Sequence, residues 1–258
     1  DQPRSRGLGD VYKRQVRSVG WGAINILRSY YRGKVNEGNL EVNENKKDGP
    51  VTAADLAANQ YILEKLQAAF GTEIYGYLSE ETHQGSEPFP QDWVWIIDPL
   101  DGTRDFIDKT GEYALHIALA YQQRPVLSVV GIPEAEKLYF AVKGQGAFVE
   151  TLDGKIEPVK VLAKTDAENL TLVVSRTHRD QRFQDLIDRL SFSARHYVGS
   201  VGCKIVAVLE QQADIYISLS GKSAAKDWDF AAPELILTEA GGEFTYFNGD
   251  RLLYNRGD

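Results

Sequence analysis

The chain has 258 residues, of which 43% are hydrophobic and 26% are charged, and its 29 Lys and Arg against 37 Asp and Glu give a formal net charge of −8. This composition is typical of a globular protein with a buried core, and the length suggests one large domain or two small ones. The acidic balance argues against a nucleic-acid partner, because phosphate backbones are bound by basic surfaces. A small anionic substrate is compatible with it if cations or local dipoles offset the charge.

A single cysteine, Cys203, excludes an intramolecular disulfide and a zinc site built on several thiolates. That fits a reducing compartment, and we expect a cytoplasmic protein. No apolar run approaches the roughly 18 residues that span a bilayer. The polar, Arg-rich start lacks the apolar centre of a signal peptide. We therefore expect no membrane partner.

The N-terminal half predicts two helices followed by strands. Residues 1–15 show no helical or strand period, so we expect a non-native or disordered arm there. Helical periodicity predicts helices over 16–31 and 53–70, the second preceded by Thr52, which forms a capping box with Asp55, and a polar loop over 36–50 separates them. Apolar runs predict strands over 74–78, 93–97, 114–121, 126–131, 137–142 and 147–149.

The C-terminal half alternates strands with helices. Strands are predicted over 172–174, 215–218 and 243–247, and helices over 179–190, 201–211 and 230–240. An α+β half is thus followed by an α/β half. We expect an N-terminal domain over 16–155 and a C-terminal domain over 156–258.

The motif from Asp98 to Thr103 is the first of four that place acidic residues beside apolar segments. Asp98 ends a buried strand and Asp101 follows three residues later. Pro99 and Gly102 favour a tight bend between and after them, so both carboxylates can converge on one point. Taken alone, the motif fits an Asp-rich turn without a ligand equally well.

The other three motifs are the Glu80-Glu81 pair, Asp55 and Asp229. Each alone has a simpler explanation, because adjacent acids are common on surface turns and Asp is favourable in the first turn of a helix. Together, the four favour a hard cation such as Mg²⁺, which prefers oxygen ligands. The histidines show no zinc spacing, and we expect most to be surface or structural residues: His83, His116, His178 and His196.

These motifs, in this order and spacing, resemble the inositol monophosphatase family over about residues 16–256. The resemblance is carried by Val51-Thr-Ala-Ala-Asp55, Glu80-Glu81, Asp98-Pro-Leu-Asp101-Gly-Thr103, and Trp228-Asp229-Phe-Ala-Ala232 through Glu239-Ala-Gly-Gly242. Within the family, Arg104-Asp105-Phe106 and Val174-Ser-Arg-Thr-His178 are most similar to the 3'(2'),5'-bisphosphate nucleotidases.

The resemblance implies a layered αβαβα sugar-phosphatase fold and hydrolysis of a phosphomonoester with two or three Mg²⁺ ions. The implied metal ligands are Glu80, Asp98, the Leu100 carbonyl, Asp101 and Asp229. Thr103 and Asp55 would orient and deprotonate the attacking water. Glu81 would lie next to them, without direct contact with the water. The amides of Gly102 and Thr103 would hold the phosphate. The spacing of Asp98 and Asp101 differs from that of phosphatases with an aspartyl nucleophile, so we expect no phosphoenzyme.

The substrate that the resemblance favours is 3'-phosphoadenosine 5'-phosphate. Candidate contacts to it, besides Gly102, Thr103 and Asp229, are Ser175, Arg176, His178, Lys204 and Lys226. Each of these five is equally compatible with solvated charge or a structural hydrogen bond, and Lys204 is expected on the solvated side of its helix. Inhibition by Li⁺ and a homodimer are further implications. Two alternatives stay open: an inositol or other sugar monophosphatase, and an inactive metal-binding structural or regulatory protein.

Overall fold

The computed structural model describes residues 9–35, 52–85, 87–162, 169–176, 181–190, 192–219 and 225–257. Within these ranges the helices are α1 Gly9–Tyr31, α2 Ala53–Phe70, α3 Thr103–Ile107, α4 Gln181–Asp188, α5 Val201–Leu209 and α6 Asp227–Glu239. The strands are β1 Tyr75–Ser79, β2 Trp93–Asp101, β3 Ala114–Tyr121, β4 Arg124–Ile132, β5 Lys137–Val142, β6 Ala147–Thr151, β7 Ile156–Val159, β8 Thr171–Ser175, β9 Ala194–Val198 and β10 Ile215–Tyr216.

The strands form two sheets. The large sheet has seven strands in chain order, β1 to β7, and only its first pair, β1 and β2, is parallel. The small sheet has the order β10-β8-β9, and its strands are parallel. Because β1 and β2 run in the same direction, the residues that follow β1 emerge beside the C-terminal end of β2.

Both faces of the large sheet are covered by helices. On one face, α1 and α2 pack in a core with alternate residues of β2 and β3, such as Ile97 and Ile117. On the other face, α5 and α6 pack against the intervening residues, such as Ile96 and Ala118. The small sheet contacts α5 and forms its own core with α4. These contacts confirm the αβαβα layering.

Strand β3 shows how the sequence builds the two faces. Side chains alternate along a strand, so Leu115, Ile117 and Leu119 face α1 and α2. The opposite face of β3 carries small residues, including Ala118 and Ala120, toward α6. Small side chains there let α6 come close to the sheet. Both faces are buried, which explains the nearly continuous apolar sequence of this strand.

The predicted arm at the N-terminus is partly wrong, because α1 begins at Gly9 and includes residues 9–15. Tyr12 stacks on Phe70 of α2, with ring centroids 4.6 Å apart, and Val16 is fully buried. Only one residue per turn packs here, and charged residues surround it in the sequence, so the hydrophobic periodicity of a helix is not visible. Residues 1–8 and the predicted loop over 36–50 lie outside the described residues.

Several predictions in the C-terminal half need correction, and two strands there went unpredicted. Residues 243–247 do not form a strand, and Phe244 packs instead on Phe230. Strands β7 and β9 went unpredicted because they are short, largely exposed edge strands without an apolar run, and β7 contains a proline. Helix α6 begins at Asp227 rather than near residue 230, and helix α5 ends two residues before the predicted 211.

The boundary near residue 155 stays a prediction. Helices α5 and α6, which follow it, share one hydrophobic core with strands β2 to β6, which precede it.

Among the described residues, no helix combines the length and the apolarity that crossing a bilayer requires.

Candidate metal and phosphate site

Three of the four predicted acidic ligands lie together at one end of the large sheet. Asp98 and Asp101 come from the last residues of β2, where a register shift against β3 separates them. Asp229 comes from the first turn of α6. Carboxylate oxygens of the three residues lie within 4.8 Å of one another. Asp98 and Asp101 are buried, so the bend predicted from Pro99 and Gly102 directs carboxylates inward, away from solvent.

Glu80 is assigned to the same cluster because its charge raises the pKa of Asp98. It follows β1, and its backbone amide donates a hydrogen bond to the Ile97 carbonyl, beside the end of β2. Burial raises the pKa of Asp98 well above its ordinary value, and the charges of Glu80, Asp101 and Asp229 raise it further. So much negative charge in a buried place is unfavourable unless a cation neutralises it. The donor set of carboxylate oxygens therefore fits a hard divalent cation.

Asp101 differs from its neighbours because cations and donors surround it. Burial alone would raise its pKa, but His116, Lys204 and the Gly202 amide outweigh that effect, and the pKa is lowered. The Gly202 amide donates a hydrogen bond of 2.6 Å to Asp101 Oδ2, and His116 Nε2 lies 3.2 Å from the same oxygen. Asp101 is therefore held ionised and in a fixed orientation.

His116 is a site residue that the sequence analysis missed, since it was grouped with histidines of no special spacing. It lies on β3 directly opposite Asp98 in the antiparallel pair, and it is fully buried. Its Nδ1 forms a hydrogen bond of 3.1 Å with the Trp228 carbonyl, one residue before Asp229. A polar residue at a position flanked by alanines on the same face was the signal available in the sequence.

Thr103 and Asp55 form the predicted pair beside the carboxylate cluster. Thr103 Oγ1 lies 3.0 Å from Asp55 Oδ1 and 3.2 Å from the Leu100 carbonyl oxygen. Burial raises the pKa of Asp55 to about 6, against the lowering effect of its hydrogen bonds from Thr52. The charge of Glu81 raises it as well, which locates Glu81 near this carboxylate.

Gly102 occupies a position that only glycine fills without strain. Its φ of 89° lies in the left-handed region, and a Cβ atom there would lie 2.8 Å from Ser200 Cβ. This close approach brings the bend after β2 against the start of α5. The amides of Gly102 and Thr103 stand at the start of α3, and their binding of the phosphate stays a prediction.

The predicted substrate contacts fall into different environments. Lys204 is buried, with 4% exposure, so its expected place on the solvated side of α5 is wrong. Burial lowers the pKa of Lys204, against the effect of Asp101, and its Nζ lies 5.6 Å from the Tyr216 ring centroid. The helix α5 is enclosed between the two sheets, which explains why an apolar-flanked lysine is covered on all sides.

Arg176, Ser175 and Lys226 lie at the ends of elements. Arg176 donates a 2.8 Å hydrogen bond to Glu112 and lies 3.7 Å from an Asp105 oxygen, so its guanidinium is engaged in ion pairs. Ser175 is the half-buried last residue of β8. The Lys226 amide donates a 2.6 Å hydrogen bond to Asp229 Oδ2. His178 lies outside the described residues.

A layered αβαβα fold that gathers carboxylates from separate segments at one end of a sheet is typical of metal-dependent phosphatases. A sequence profile of the inositol monophosphatase family matches residues 10–258, and the chain belongs to this family. It is 35% identical over 219 residues to the 3'(2'),5'-bisphosphate nucleotidase CysQ of Salmonella typhimurium, covering 83% of each chain. The predicted family is confirmed, and the protein is a phosphoric monoester hydrolase.

Solved structures agree with this assignment. CysQ from Bacteroides thetaiotaomicron, described as a bacterial member of the inositol monophosphatase family, matches with a TM-score of 0.76 and 27% identity, over 96% of this chain and 93% of that one. The extragenic suppressor protein suhB from Bartonella henselae matches with a TM-score of 0.77 and 26% identity, over 93% and 89% of the two chains.

Proposed function

We propose that this phosphatase uses Mg²⁺ to hydrolyse 3'-phosphoadenosine 5'-phosphate to AMP and phosphate. The observation that carries the proposal is the approach of Asp98, Asp101 and Asp229 to within 4.8 Å. Glu80 and the Leu100 carbonyl would complete the ligand set for two or three ions. The names of the CysQ relatives support the choice of substrate.

Bound Mg²⁺ would supply positive charge against the phosphoryl oxygens and would lower the pKa of a coordinated water. The protein's own part is to hold the carboxylates in position, with Asp101 kept ionised by His116, Lys204 and the Gly202 amide, and to accept a proton. Phosphoryl transfer needs positioning and charge neutralisation more than covalent help. Asp98 and Asp101 therefore act as ligands in this proposal, and neither acts as a nucleophile.

The Thr103–Asp55 pair would accept the proton of the attacking water. Thr103 Oγ1 accepts that proton while its own proton passes to Asp55 Oδ1, 3.0 Å away. Asp55 Oδ2 is already occupied by hydrogen bonds from the Thr52 amide and hydroxyl, so Oδ1 is the oxygen directed to this task. A pKa of about 6 suits a base that works near neutral pH. Glu81 would stabilise the protonated form of Asp55 through its charge.

The substrate would lie between the carboxylate cluster and the small sheet. The Gly102 and Thr103 amides would bind the phosphate that is hydrolysed. Lys204 and Lys226 would offset the second phosphate, and Ser175 and His178 would contact the rest of the nucleotide. Arg176 would act by holding Glu112, which also accepts a 2.6 Å hydrogen bond from the Gly199 amide.

The experiment that tests this proposal compares kcat/KM for 3'-phosphoadenosine 5'-phosphate, inositol 1-phosphate and fructose 1,6-bisphosphate, each with Mg²⁺. We expect the nucleotide to be preferred by at least about tenfold, which corresponds to roughly 1.4 kcal/mol of differential transition-state binding. A preference for inositol 1-phosphate would contradict the substrate and favour the sugar monophosphatase alternative. Equal turnover with excess chelator would contradict the metal requirement. Inhibition by Li⁺ and a homodimer remain predictions from the family, and a cytoplasmic location remains a prediction from the sequence.

A further inference from the structure

His116 stands in an unusual place for a polar side chain. It is 0% exposed in the middle of β3, and Ala114 and Ala118 flank it on the same face of the strand. A buried imidazole is costly unless its ring nitrogens find polar partners. Those partners belong to two different segments of the candidate site.

The two ring nitrogens of His116 point to opposite parts of that site. Nδ1 and the Trp228 carbonyl form a hydrogen bond of 3.1 Å between residues 112 positions apart. Nε2 lies 3.2 Å from Asp101 Oδ2, close enough for an electrostatic contact although its direction is poor for a hydrogen bond. The imidazole ring of His116 therefore contacts both the bend at the end of β2 and the first turn of α6.

That span matters because the two segments it joins carry carboxylates that repel each other, those of Asp101 and Asp229. The carboxylates of Asp101 and Asp229 both belong to the cluster. Burial raises the pKa of Asp229, and the charge of Asp101 raises it further. The Lys226 amide fixes the Asp229 carboxylate to its own helix, but not to the sheet. The hydrogen bond from His116 to the Trp228 carbonyl ties that first helical turn to β3.

Helix α5 packs closely against the imidazole ring of His116. A Cβ atom on Gly202 would lie 2.5 Å from His116 Nε2 and 2.6 Å from Ala114 Cβ, so the helix can pass here only with glycine. The Gly202 amide also donates to the Asp101 oxygen that Nε2 contacts. The histidine and the glycine thus both contact the same carboxylate oxygen.

We propose that His116 is a positioning residue that sets the separation of Asp101 and Asp229, and through it the affinity of the divalent-cation site. This inference rests on the proposed function, since it assumes that the two carboxylates bind a cation. His116 acts through the Asp101 oxygen and the Trp228 carbonyl, without touching substrate or cation itself. Outer contacts of this kind commonly change metal affinity by about 10- to 100-fold when they are removed.

The test measures Mn²⁺ binding by calorimetry and by the electron paramagnetic resonance signal of free Mn²⁺, without substrate. His116→Leu removes both contacts, and we expect its dissociation constant to rise about 10- to 100-fold. His116→Asn places an amide nitrogen near the position of Nδ1, and His116→Gln places one near Nε2. We expect each amide variant to bind more tightly than the leucine variant. Wild-type affinity in His116→Leu would overturn the proposal, as would amide variants no better than leucine.

Ser128→Ala is the matched control, because Ser128 is equally buried on the adjacent strand β4 and its hydroxyl has no hydrogen-bond partner among the described residues. We expect wild-type Mn²⁺ affinity from it. An equal loss in this variant would mean general loosening of the sheet and would overturn the specific role of His116. If His116→Leu does not fold, the comparison of the two amide variants with the wild type carries the test. A wild-type protein that binds no Mn²⁺ would overturn the proposed metal site, and the positioning role with it.

Discussion

Asp55 Oδ1 and Thr103 Oγ1 lie 3.0 Å apart, which joins the first turn of α2 to the first residue of α3 across 48 positions of the chain. The two oxygens of Asp55 have separate partners, because Oδ2 accepts from the Thr52 amide and hydroxyl in a capping box. Changing Asp55 would therefore disturb both the helix start and the site. Changing Thr103 tests the site with little effect on α2.

The hydroxyl of Thr103 is predicted to carry the proton of the attacking water to Asp55. Thr103→Val keeps the shape of the side chain but removes the hydroxyl, and kcat should fall by about 10²- to 10³-fold, the usual size of general-base effects. Thr103→Ser restores the hydroxyl and should stay within about tenfold of the wild type. Steady-state kinetics at saturating Mg²⁺ measure both. A valine variant as active as the serine variant would contradict the role.

Removing the charge of Asp101 should abolish most activity while the fold persists. Asp101→Asn keeps an oxygen that can accept from the Gly202 amide, but it loses the ionised ligand. We expect turnover to fall by at least about 10²-fold, since metal-ion stabilisation of transition-state charge amounts to several kcal/mol. Circular dichroism should match the wild type. Near-normal Mg²⁺-dependent turnover would show that Asp101 is not a required ligand.

The acidic cluster should make the metal-free protein less stable as the pH rises. Burial, then the charge of Asp101, raises the pKa of Asp229 from 3.8 to about 6 in the folded state. Within that window the folded state binds more protons than the unfolded state, so the free energy of unfolding falls with increasing pH. We expect the Tm measured in chelator to decrease between about pH 4.5 and about pH 6.5. Asp229→Asn should flatten this dependence.

Divalent cations should reverse that loss. They bind the ionised carboxylates, so excess Mg²⁺ should raise the Tm more at about pH 7 than at about pH 5. Calorimetric scans with Mg²⁺ and with chelator at the two pH values give the comparison. Equal stabilisation at both would mean that Mg²⁺ binds elsewhere.

Gly102 should tolerate no side chain. Gly102→Ala adds a Cβ atom 2.8 Å from Ser200 Cβ, in a residue with a φ of 89°. Gly144→Ala is the control, because Gly144 has a φ of 76° but, in the part of the chain that the structure describes, no atom lies within 4 Å of the added Cβ. Both variants carry the backbone strain, and we expect Gly102→Ala to lose about 1–3 kcal/mol more from overpacking. Equal denaturant midpoints for the two variants would contradict the close approach.

A buried ion pair of Glu234 and Arg124 connects α6 to strand β4. Glu234, which is 1% exposed, accepts hydrogen bonds from Arg124 and from the Tyr254 hydroxyl. Tyr254→Phe removes one donor from a buried carboxylate and should lower the free energy of unfolding by about 1.5–3 kcal/mol. Tyr246→Phe changes a tyrosine that is 57% exposed and should have an effect below about 0.5 kcal/mol. Urea unfolding of both variants measures the difference.

Local sequence patterns were enough for the long elements and for the acidic motifs. Helix α2 has its capping box at Thr52 and Asp55 as predicted, and β3 and β5 have the predicted bounds. Strong periodicity and turn residues act over a few positions, so they can be read without knowing what packs where. The same holds for the convergence of Asp98 and Asp101, which depends on a short bend.

Long-range packing governed the features that sequence patterns missed. Lys204 reads as a surface lysine, but it is buried because α5 lies between two sheets. The exposed edge strands β7 and β9 exist because neighbouring strands supply their hydrogen bonds. His116 joins Asp101 to α6 only because antiparallel pairing sets it opposite Asp98. The candidate acidic residues were predictable from local patterns in the sequence. The groups that fix Asp101 and join it to α6 come from other segments, because Gly202 lies 101 positions along the chain from Asp101 and Trp228 lies 112 positions from His116. No local pattern encodes contacts over such separations in sequence.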